Sequence, residues 1–344
     1  MNILVTGGTG FLGKHLVRKL LEKQNVVRVV DLEPFEDPRF EDKNVEFILG
    51  DCARLDVMDR ACANIDIVIH AASAPPNQSN QIIEHTDYYG TVHTLEAAKK
   101  QDVKRFIYIS TTAVYGIPET VPISEEGPYN RVGRYGQTKR RAEKKCIEYS
   151  DDMFISILRP RTLVGAERMG MLEILFEWIR RGKKIPLLGN GENQYQLLDV
   201  NDLCEAIWLT CIHPDADDIF NVGAEEFNTI NHDLRPLFEE AENDRGFLYL
   251  PAKPTQAFLT LLEWMNLSPI VSWQYNTLDK EYRVNTTKIR HTLGWEPQKS
   301  NRESIMTSFR WYMQHSEEFE KRSGVTNQVP WSQKLLRWIR TLFG

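Results

Sequence analysis

The sequence predicts an α/β fold built on a doubly wound parallel sheet, and three observations indicate it. Short apolar runs alternate with helical patterns from residue 1 to about residue 160, as in parallel strands joined by helical crossovers. The first run, Ile3 to Val5, leads through a glycine-rich turn into a helical pattern that starts at Phe11. Several predicted strands end in small or polar residues, which places a ligand site at the carboxyl edge of the sheet.

The glycine-rich turn has the spacing Gly7-x-x-Gly10-x-x-Gly13. Such glycines allow a tight turn, close approach of phosphates to the backbone, and close packing of the helix against the strand. Free N–H groups at the start of the next helix, at Phe11 and Leu12, favour an anion. The turn therefore predicts the binding site of a dinucleotide pyrophosphate.

The second predicted strand, Val26 to Val30, ends at Asp31. This acid lies close to the offset of ~20 residues at which a carboxylate binds the ribose of a dinucleotide. A carboxylate there accepts hydrogen bonds from the ribose hydroxyls and repels a 2′-phosphate, and no Arg immediately follows it. The sequence therefore predicts NAD rather than NADP.

The third predicted strand, Val45 to Leu49, is followed by Asp51 and Cys52. Asp51 is placed to hydrogen-bond the adenine amino group, or else to cap a helix predicted near residues 54–63. The fourth strand, residues 65–70, runs into small residues that let a cofactor pass close to the backbone. The further candidates for cofactor binding are Cys52, Ala71, Ala72, Ser73 and Pro160.

The alternation continues with helices near residues 81–100 and 131–149 on either side of a strand. That strand begins at Arg105 and is predicted to continue through Ser110 as far as Gly116. Beyond residue 165 the alternation of strands and helices becomes less regular. In this part, Asn201 or Asp202 is predicted to cap a helix. The later elements predicted are a helix at 169–181, a turn at 187–191, strands at 196–200 and 217–222, and helices at 203–212, 234–242, 257–266 and 305–315.

A candidate catalytic pair, Tyr135 and Lys139, lies four residues apart on a predicted helix and shares one face. A phenol has an ordinary pKa near ~10 and is a weak base at neutral pH. An adjacent ammonium and an oxidised nicotinamide favour the phenolate, which lowers that pKa. Thr111, which follows the fifth strand, is placed to orient the same substrate oxygen.

The chain resembles an extended short-chain dehydrogenase/reductase of the NAD-dependent epimerase/dehydratase type. The pieces that carry the resemblance are the Gly7–Gly13 loop, Asp31, Asp51, Ala71-Ala72, Ser110 to Gly116, Tyr135 to Lys139, Arg159-Pro160, Val200 to Leu203, and Leu293-Gly294-Trp295. They span residues 1 to about 312. The resemblance implies Thr111, Tyr135 and Lys139 as the catalytic set and homodimers packed through the helices near 81–100 and 131–149.

The resemblance also implies a Rossmann-like domain with a smaller, discontinuous, C-terminal substrate domain. We expect residues 1–165 to bind NAD, with residues 196–222 returning to that domain. Residues 166–195 and 223–315 would then bind the substrate, and residues 316–344 would form an amphipathic tail.

The chain departs from this family where the substrate is expected to bind. Sugar-nucleotide dehydratases have Asp-Glu after the catalytic Thr, and Thr112 and Ala113 stand there. Without that carboxyl pair, elimination of water lacks its acid and base. Where the family has an Asn on a helix, this chain has Asp87. Where the family has an Asn that contacts the substrate, this chain has Thr162.

Two arginines that usually bind a substrate diphosphate are also missing, since Gln194-Tyr195-Gln196-Leu197 occupies the first place and no Arg lies between Trp273 and Glu281. The arginines that could substitute are Arg161, Arg168, Arg180, Arg181 and Arg283. The predicted substrate-binding residues are Thr112, Arg161, Thr162 and Arg168.

Composition excludes several other classes of protein. The 344 residues carry a net charge of −6, which gives no basic surface for nucleic acid. The five cysteines include no Cys-x-x-Cys pair, so neither a disulfide framework nor a bound metal is expected. The first strand leaves no room for a signal peptide, and no apolar run is long enough to span a membrane. A cytoplasmic location is expected.

Two segments leave a membrane association open. Residues 257–271 are rich in Leu, Phe, Trp and Met, which favours a subdomain core over a binding site for a hydrophobic substrate. Residues 331–343 place Trp331, Leu335, Trp338, Ile339 and Leu342 at helical spacing among basic residues. That pattern suits a helix on an anionic membrane, and equally a helix packed on the protein or on a partner.

The favoured hypothesis is an NAD-dependent enzyme that oxidises a secondary alcohol by hydride transfer, as a nucleotide-sugar 4-epimerase or related enzyme does. A second hypothesis keeps the chemistry but makes the substrate a steroid-like or lipid alcohol that is oxidised with net production of NADH. A third, an NAD-binding scaffold without turnover, is disfavoured because it has no need of Thr111, Tyr135 and Lys139 together.

Overall fold

A computed structural model gives the structure of residues 1–35, 40–130, 132–168, 171–265 and 275–319. The strands are β1 Asn2–Thr6, β2 Val26–Asp31, β3 Val45–Leu49, β4 Ile67–His70, β5 Arg105–Ile109, β6 Phe154–Pro160, β7 Thr162–Val164, β8 Ile185–Leu188, β9 Leu197–Asp199, β10 Ile219–Val222 and β11 Phe247–Leu250. The helices are α1 Phe11–Glu22, α2 Leu55–Ala61, α3 Asn80–Ile83, α4 Gly90–Lys100, α5 Arg134–Ile147, α6 Met171–Arg180, α7 Val200–Ile212, α8 Ile230–Glu240, α9 Ala252–Trp264, α10 Thr287–Leu293 and α11 Asn301–Phe319.

Seven strands form one parallel sheet in the order β10-β6-β5-β4-β1-β2-β3. Strand β1 lies beside both β2 and β4, with Ile3 opposite Val27 on one side and Ile67 on the other. The strand order reverses at β1, and a crevice opens there at the carboxyl ends of the strands. The predicted doubly wound parallel sheet is confirmed.

Helices cover both faces of this sheet, which explains why the central strands are continuously apolar. On one face, α1, α7 and α10 pack on the strands, and Trp295 is fully buried among them. On the other face, α2, α4 and α5 form a second apolar cluster. A third cluster joins α6, α8 and α11 with β8 and β11.

The fifth strand is shorter than predicted. It ends at Ile109, and residues Thr112–Tyr115 form a 3-10 helix. The cause is local, because the Thr111 side chain accepts a hydrogen bond from the N–H of Ala113 at 3.1 Å and caps that helix. The prediction of a strand through Gly116 was therefore wrong.

The caps and bounds of other elements also differ from the predictions. Helix α7 is capped by Asp199, which accepts from the N–H of Asn201 at 2.8 Å. The carboxylate of Asp202 instead accepts from the N–H groups of Gln298 and Lys299, at 3.0 and 3.1 Å. Residues predicted as a turn at 187–188 belong to β8, which pairs with β11.

The helix predicted near 81–100 consists of α3, a π-helical segment Glu84–Tyr89, and α4. Within α9, Phe258, Leu261 and Trp264 are exposed, whereas Leu259 and Leu262 are half-buried. Polar Gln256 and Thr260 contact Tyr275. The rest of the 257–271 segment and the 331–343 tail lie outside the described residues. No helix in the described ranges is long and apolar enough to cross a membrane.

Candidate active site

The glycine-rich loop joins β1 to α1 at the point where the strand order reverses. Gly7 has φ +71°, and a Cβ there would lie 2.7 Å from Ala72 Cα. A Cβ on Gly13 would lie 2.5 Å from Gly8 Cα, so this position holds the helix tightly against the loop. A Cβ on Gly10 would meet only Gly7 O, at 3.1 Å. Gly10 thus presents its open side outward.

Helix α1 begins at Phe11 with Gly10 as its N-cap, and no side chain of the described residues caps it. The first N–H groups of a helix have no partner within the helix. At Phe11, Leu12 and Gly13 they are available to an anion, and the helix dipole reinforces that preference. The loop and helix start fit a dinucleotide pyrophosphate.

Asp31 ends β2 beside this loop. Its carboxylate accepts hydrogen bonds from the N–H groups of Thr9 at 2.9 Å and Leu32 at 2.8 Å. These two bonds fix the carboxylate next to the glycine loop. A carboxylate oxygen can accept more than one hydrogen bond, so Asp31 retains capacity for ribose hydroxyls.

Asp51 follows β3 and accepts from the N–H of Ala53 at 2.8 Å, while its other oxygen pairs with His85 Nε2 at 2.7 Å. It does not cap α2, whose N-cap is Arg54, so the capping alternative was wrong. The Cys52 side chain is buried in the apolar cluster beneath α4. Burial raises the pKa of the Cys52 thiol to about 12.

The small residues after β4 lie against the glycine loop, as the close approach of Gly7 to Ala71 and Ala72 shows. Ala72 N–H donates to Thr6 Oγ1 at 3.2 Å. Ser73 is exposed at this edge. Pro160 is buried as the last residue of β6, beside Val222 of β10.

The three candidate catalytic residues lie on elements that meet at one edge of the sheet. Thr111 caps the 3-10 helix after β5, and Tyr135 lies in the first turn of α5. A Cβ on Gly136 would lie 2.9 Å from Ala113 C. This absence of a side chain lets the start of α5 contact the 3-10 helix, which brings Tyr135 to the segment that carries Thr111.

Lys139 is fully buried one turn further along α5. Its Nζ donates to Ile109 O at 2.8 Å and lies 3.6 Å from Asp87 Oδ1. It also lies 4.4 Å from the centre of the Tyr108 ring. The ammonium is therefore held at the end of β5, behind Tyr135.

A second hydrogen-bond chain leads from Tyr135 to Asp87. The Tyr135 and Ser73 hydroxyl oxygens are 3.3 Å apart. Ser73 Oγ donates to Asp87 Oδ1 at 2.6 Å, and the N–H of Ala74 donates to Asp87 Oδ2 at 3.3 Å. The sequence marked Asp87 only as a departure from the family pattern and gave no sign of this contact.

Burial and Asp87 set the protonation of this cluster. Burial raises the pKa of Tyr135 above its ordinary value, and the negative charge of Asp87 raises it further. Burial lowers the pKa of Lys139, against the opposing charges of Asp87 and Glu143. Burial also raises the pKa of Asp87, against the charge of Lys139. Lys139 is directed towards Asp87 and Ile109 in this structure, and its lowering of the Tyr135 pKa together with an oxidised nicotinamide stays a prediction.

The predicted substrate residues fall in two places. Arg161 is buried, and it donates from Nε to Gln196 O at 2.9 Å and from Nη1 to Thr112 Oγ1 at 3.2 Å. Its guanidinium lies 4.0 Å from the ring centre of Tyr282 and 4.8 Å from that of Tyr195. Its Nη2 has no hydrogen-bond partner in the described part of the chain.

Arg168 lies over the ring of Phe11, at 5.1 Å, and its charge acts on Tyr135. Thr162 lies in β7 opposite Leu197. The sequence missed Tyr282, whose hydroxyl donates to Thr112 O at 2.9 Å and Gly116 O at 3.1 Å. No local pattern marks this tyrosine, which reaches the site from a distant part of the chain.

A model of the NAD dependent epimerase/dehydratase family matches residues 3–223. The chain belongs to this family. The predicted family, enzyme class and NAD cofactor are thereby confirmed.

Three relatives show the range of this family. The chain is 31% identical to the uncharacterized protein y4nG of Sinorhizobium fredii over 97% of this chain and 84% of that protein. It is 26% identical to the UDP-glucose 4-epimerase of Lactobacillus helveticus over 93% of this chain and 99% of the relative. It is 30% identical to the human sterol-4-alpha-carboxylate 3-dehydrogenase, decarboxylating, over 68% of this chain and 63% of the relative.

Among solved structures, the UDP-glucose 4-epimerase of Thermotoga maritima with UDP-glucose is similar at a TM-score of 0.77 and 25% identity. The match covers 92% of this chain and 100% of that one. The similarity extends beyond the sheet to the later part of the chain.

Proposed function

We propose that this family member is a nucleotide-sugar epimerase that oxidises a secondary alcohol and reduces the resulting ketone from the other side. The observation that carries the proposal is the meeting of Thr111, Tyr135 and Lys139 beside the glycine loop. The relatives named as UDP-glucose 4-epimerases support a nucleotide sugar as the substrate.

Each member of the set has a separate role in the proposal. Tyr135 exchanges a proton with the substrate hydroxyl, and Thr111 orients the same oxygen. Lys139 holds the nicotinamide ribose from behind Tyr135. When bound, NAD takes up a hydride and returns it. The residues proposed to hold NAD are Gly7, Gly10, Phe11, Leu12, Gly13, Asp31, Asp51, Cys52, Ala71, Ala72, Ser73, Tyr135, Lys139 and Pro160.

The residues after Thr111 disfavour a dehydratase. Thr112 Oγ1 accepts from Arg161, and Ala113 has no ionisable group. Elimination of water needs an acid and a base at the reacting carbons, and neither position supplies one. Epimerisation needs only one acid–base group at the oxidised carbon, which Tyr135 provides.

We assign the substrate diphosphate to Arg161 and Arg168, with Thr112 and Thr162 beside them. The Arg161 guanidinium lies close to the rings of Tyr195 and Tyr282, and its Nη2 has no hydrogen-bond partner among the residues that the structure describes. A guanidinium is suited to binding phosphate. Tyr195 lies in the segment where the family's usual arginine is missing. In this proposal Arg161 supplies the cation that this segment lacks.

We also propose the domain division at residues 1–165 with 196–222, and 166–195 with 223–315. A homodimer through α3, α4 and α5 is supported by Ile82, Tyr89 and Ile147, which are large apolar side chains exposed on these helices and the segment between them. Size-exclusion chromatography of Tyr89→Lys tests this interface. A cytoplasmic location stays a prediction.

We propose a peripheral membrane contact through residues 331–343, and the helical spacing of apolar residues among basic ones in that segment supports it. Co-sedimentation with anionic vesicles, with and without residues 331–344, tests this contact. Binding that is unchanged by the deletion would contradict it.

The second candidate is a lipid- or sterol-alcohol dehydrogenase with net redox. The similarity to the human sterol dehydrogenase and the exposed side chains of Phe258, Leu261 and Trp264 favour it. It shares the chemistry at Tyr135 and differs in substrate and in the fate of the hydride.

The deciding experiment incubates the purified protein with NAD and a panel of UDP- and dTDP-sugars. Products are identified by NMR while NADH absorbance is followed. Epimer formation without net NADH supports the first proposal. Net NADH with sterol alcohols, and no change in the sugars, would replace it with the second.

A further inference from the structure

We infer that Asp87 is the end of a proton relay that runs from Tyr135 through the Ser73 hydroxyl. The inference rests on the proposed function, because it concerns the proton that Tyr135 takes from the substrate. Asp87 acts through Ser73 and is a positioning residue for Tyr135.

The direction of the relay follows from the hydrogen bonds. Ser73 has one hydroxyl proton and donates it to Asp87 Oδ1 at 2.6 Å. In the 3.3 Å contact with Tyr135, Ser73 must therefore accept, and Tyr135 must donate. The phenol proton is thus directed, through Ser73, towards a carboxylate.

The relay solves a chemical problem at this site. A phenol with an ordinary pKa near ~10 holds its proton at neutral pH and is a poor base by itself. In the relay, the substrate O–H bond breaks as its proton moves to the Tyr135 oxygen. The phenol proton moves to Ser73 Oγ, and the Ser73 proton moves to Asp87. Bound NAD would accept the hydride, so the ketone would form with one neutral carboxyl group at Asp87.

The surroundings of Asp87 suit a carboxylate that takes up a proton during oxidation. The side chain is fully buried, and burial raises its pKa, which favours the protonated form that oxidation creates. The groups that face it are Lys139 and Tyr135 of α5, Tyr108 of β5, Ser73 after β4, and Cys52. His70, Glu143 and Cys146 act in turn on the charge of Lys139. The ammonium of Lys139, at 3.6 Å, stabilises the carboxylate in the resting state.

An asparagine cannot take up this proton. Asp87→Asn keeps the size of the side chain and can still accept the Ser73 hydrogen bond, but it ends the relay. We expect a fall of about 100-fold in single-turnover oxidation, loss of the acidic limb of the pH–rate profile, and unchanged NAD binding. Ser73→Ala should give the same loss of the acidic limb, and the double variant should lose little more, because both changes break one chain.

Infrared spectroscopy gives a readout that does not depend on turnover. In the cofactor-free protein, a protonated carboxyl band should appear as the pH falls, with a midpoint above the ordinary value of ~3.9. Because Asp202 and other carboxyl groups also give such bands, the Asp87 band is identified as the component that disappears in Asp87→Asn, and this component should be altered in Ser73→Ala. Asp202→Asn is the matched control, because Asp202 is also buried with a raised pKa but lies away from Tyr135. That variant should keep both the band and the acidic limb.

The outcomes separate this inference from the proposed function. A wild-type protein that oxidises no substrate would count against the function, while the infrared titration would still decide whether Asp87 is coupled to Ser73. A carboxyl band that is unaffected by Ser73→Ala would overturn the relay. An acidic limb that survives in Asp87→Asn would overturn it as well.

Discussion

Replacing Gly10 by alanine should separate NAD binding from folding. Gly10 has φ −67° and ψ 175°, which alanine adopts without strain. The added Cβ would contact only Gly7 O at 3.1 Å. Because glycine is a better N-cap than alanine, we expect a loss of less than ~1 kcal/mol in the free energy of unfolding. The new methyl group would lie where the phosphates approach the backbone, so NAD affinity should fall at least tenfold.

Gly13→Ala is the matched variant. Its Cβ would lie 2.5 Å from Gly8 Cα, and overpacking of this kind costs ~1–3 kcal/mol. Better helix propensity offsets at most ~1 kcal/mol of that cost. We therefore expect Gly13→Ala to lower the melting temperature without NAD, whereas Gly10→Ala should leave it within a few degrees of the wild type.

Thermal unfolding with and without NAD is the assay. At a concentration of 100 times the wild-type Kd, NAD should stabilise the wild type by ~2.7 kcal/mol. A tenfold weaker Gly10→Ala variant should gain only ~1.4 kcal/mol under the same conditions. If Gly10→Ala gained as much as the wild type, the placement of the pyrophosphate at this loop would be wrong. A Gly13→Ala variant as stable as the wild type would refute the packing argument.

Two further predictions concern buried charge. Arg159→Ala leaves the Glu143 carboxylate buried without its 2.7 Å partner, and we expect a loss of ~3–5 kcal/mol in urea unfolding; a loss below ~1 kcal/mol would contradict this. Burial lowers the pKa of His70 to about 3, below its ordinary ~6.5, so between these values the unfolded chain binds a proton that the native protein does not. Stability should therefore fall as the pH falls through this window, by up to ~1.4 kcal/mol per pH unit, and His70→Gln should flatten that slope in urea unfolding at several pH values. An unchanged slope would show that His70 is not held neutral.

The sequence identified the parts of the site that depend on local pattern. The loop from Gly7 to Gly13 and the four-residue spacing of Tyr135 and Lys139 can be recognised without a structure, because one turn or one helix face contains each of them. The parallel order of the main sheet also followed, since alternating strands and helices permit few arrangements.

The features of the fold and site that the sequence did not predict depend on two kinds of side chain. Some form hydrogen bonds that compete with regular secondary structure, and others are distant from the site along the sequence. Thr111 ended β5 early by capping the next turn with its own hydroxyl. The aromatic pair around Arg161 needs Tyr282, which is 170 residues from its partner Thr112. Asp87 was visible as an unusual residue, but its burial beside Lys139 depends on how the π-helical segment packs on α5.

The most direct test of the account is the turnover of Tyr135→Phe in the presence of NAD and the nucleotide sugar that the wild type converts. The account predicts a loss of at least ~100-fold in epimer formation, while most of the stabilisation by NAD is kept, because the glycine loop and Asp31 are unchanged. A Tyr135→Phe protein that forms the epimer at the wild-type rate would contradict the assignment of the acid–base role, and with it the proposed mechanism.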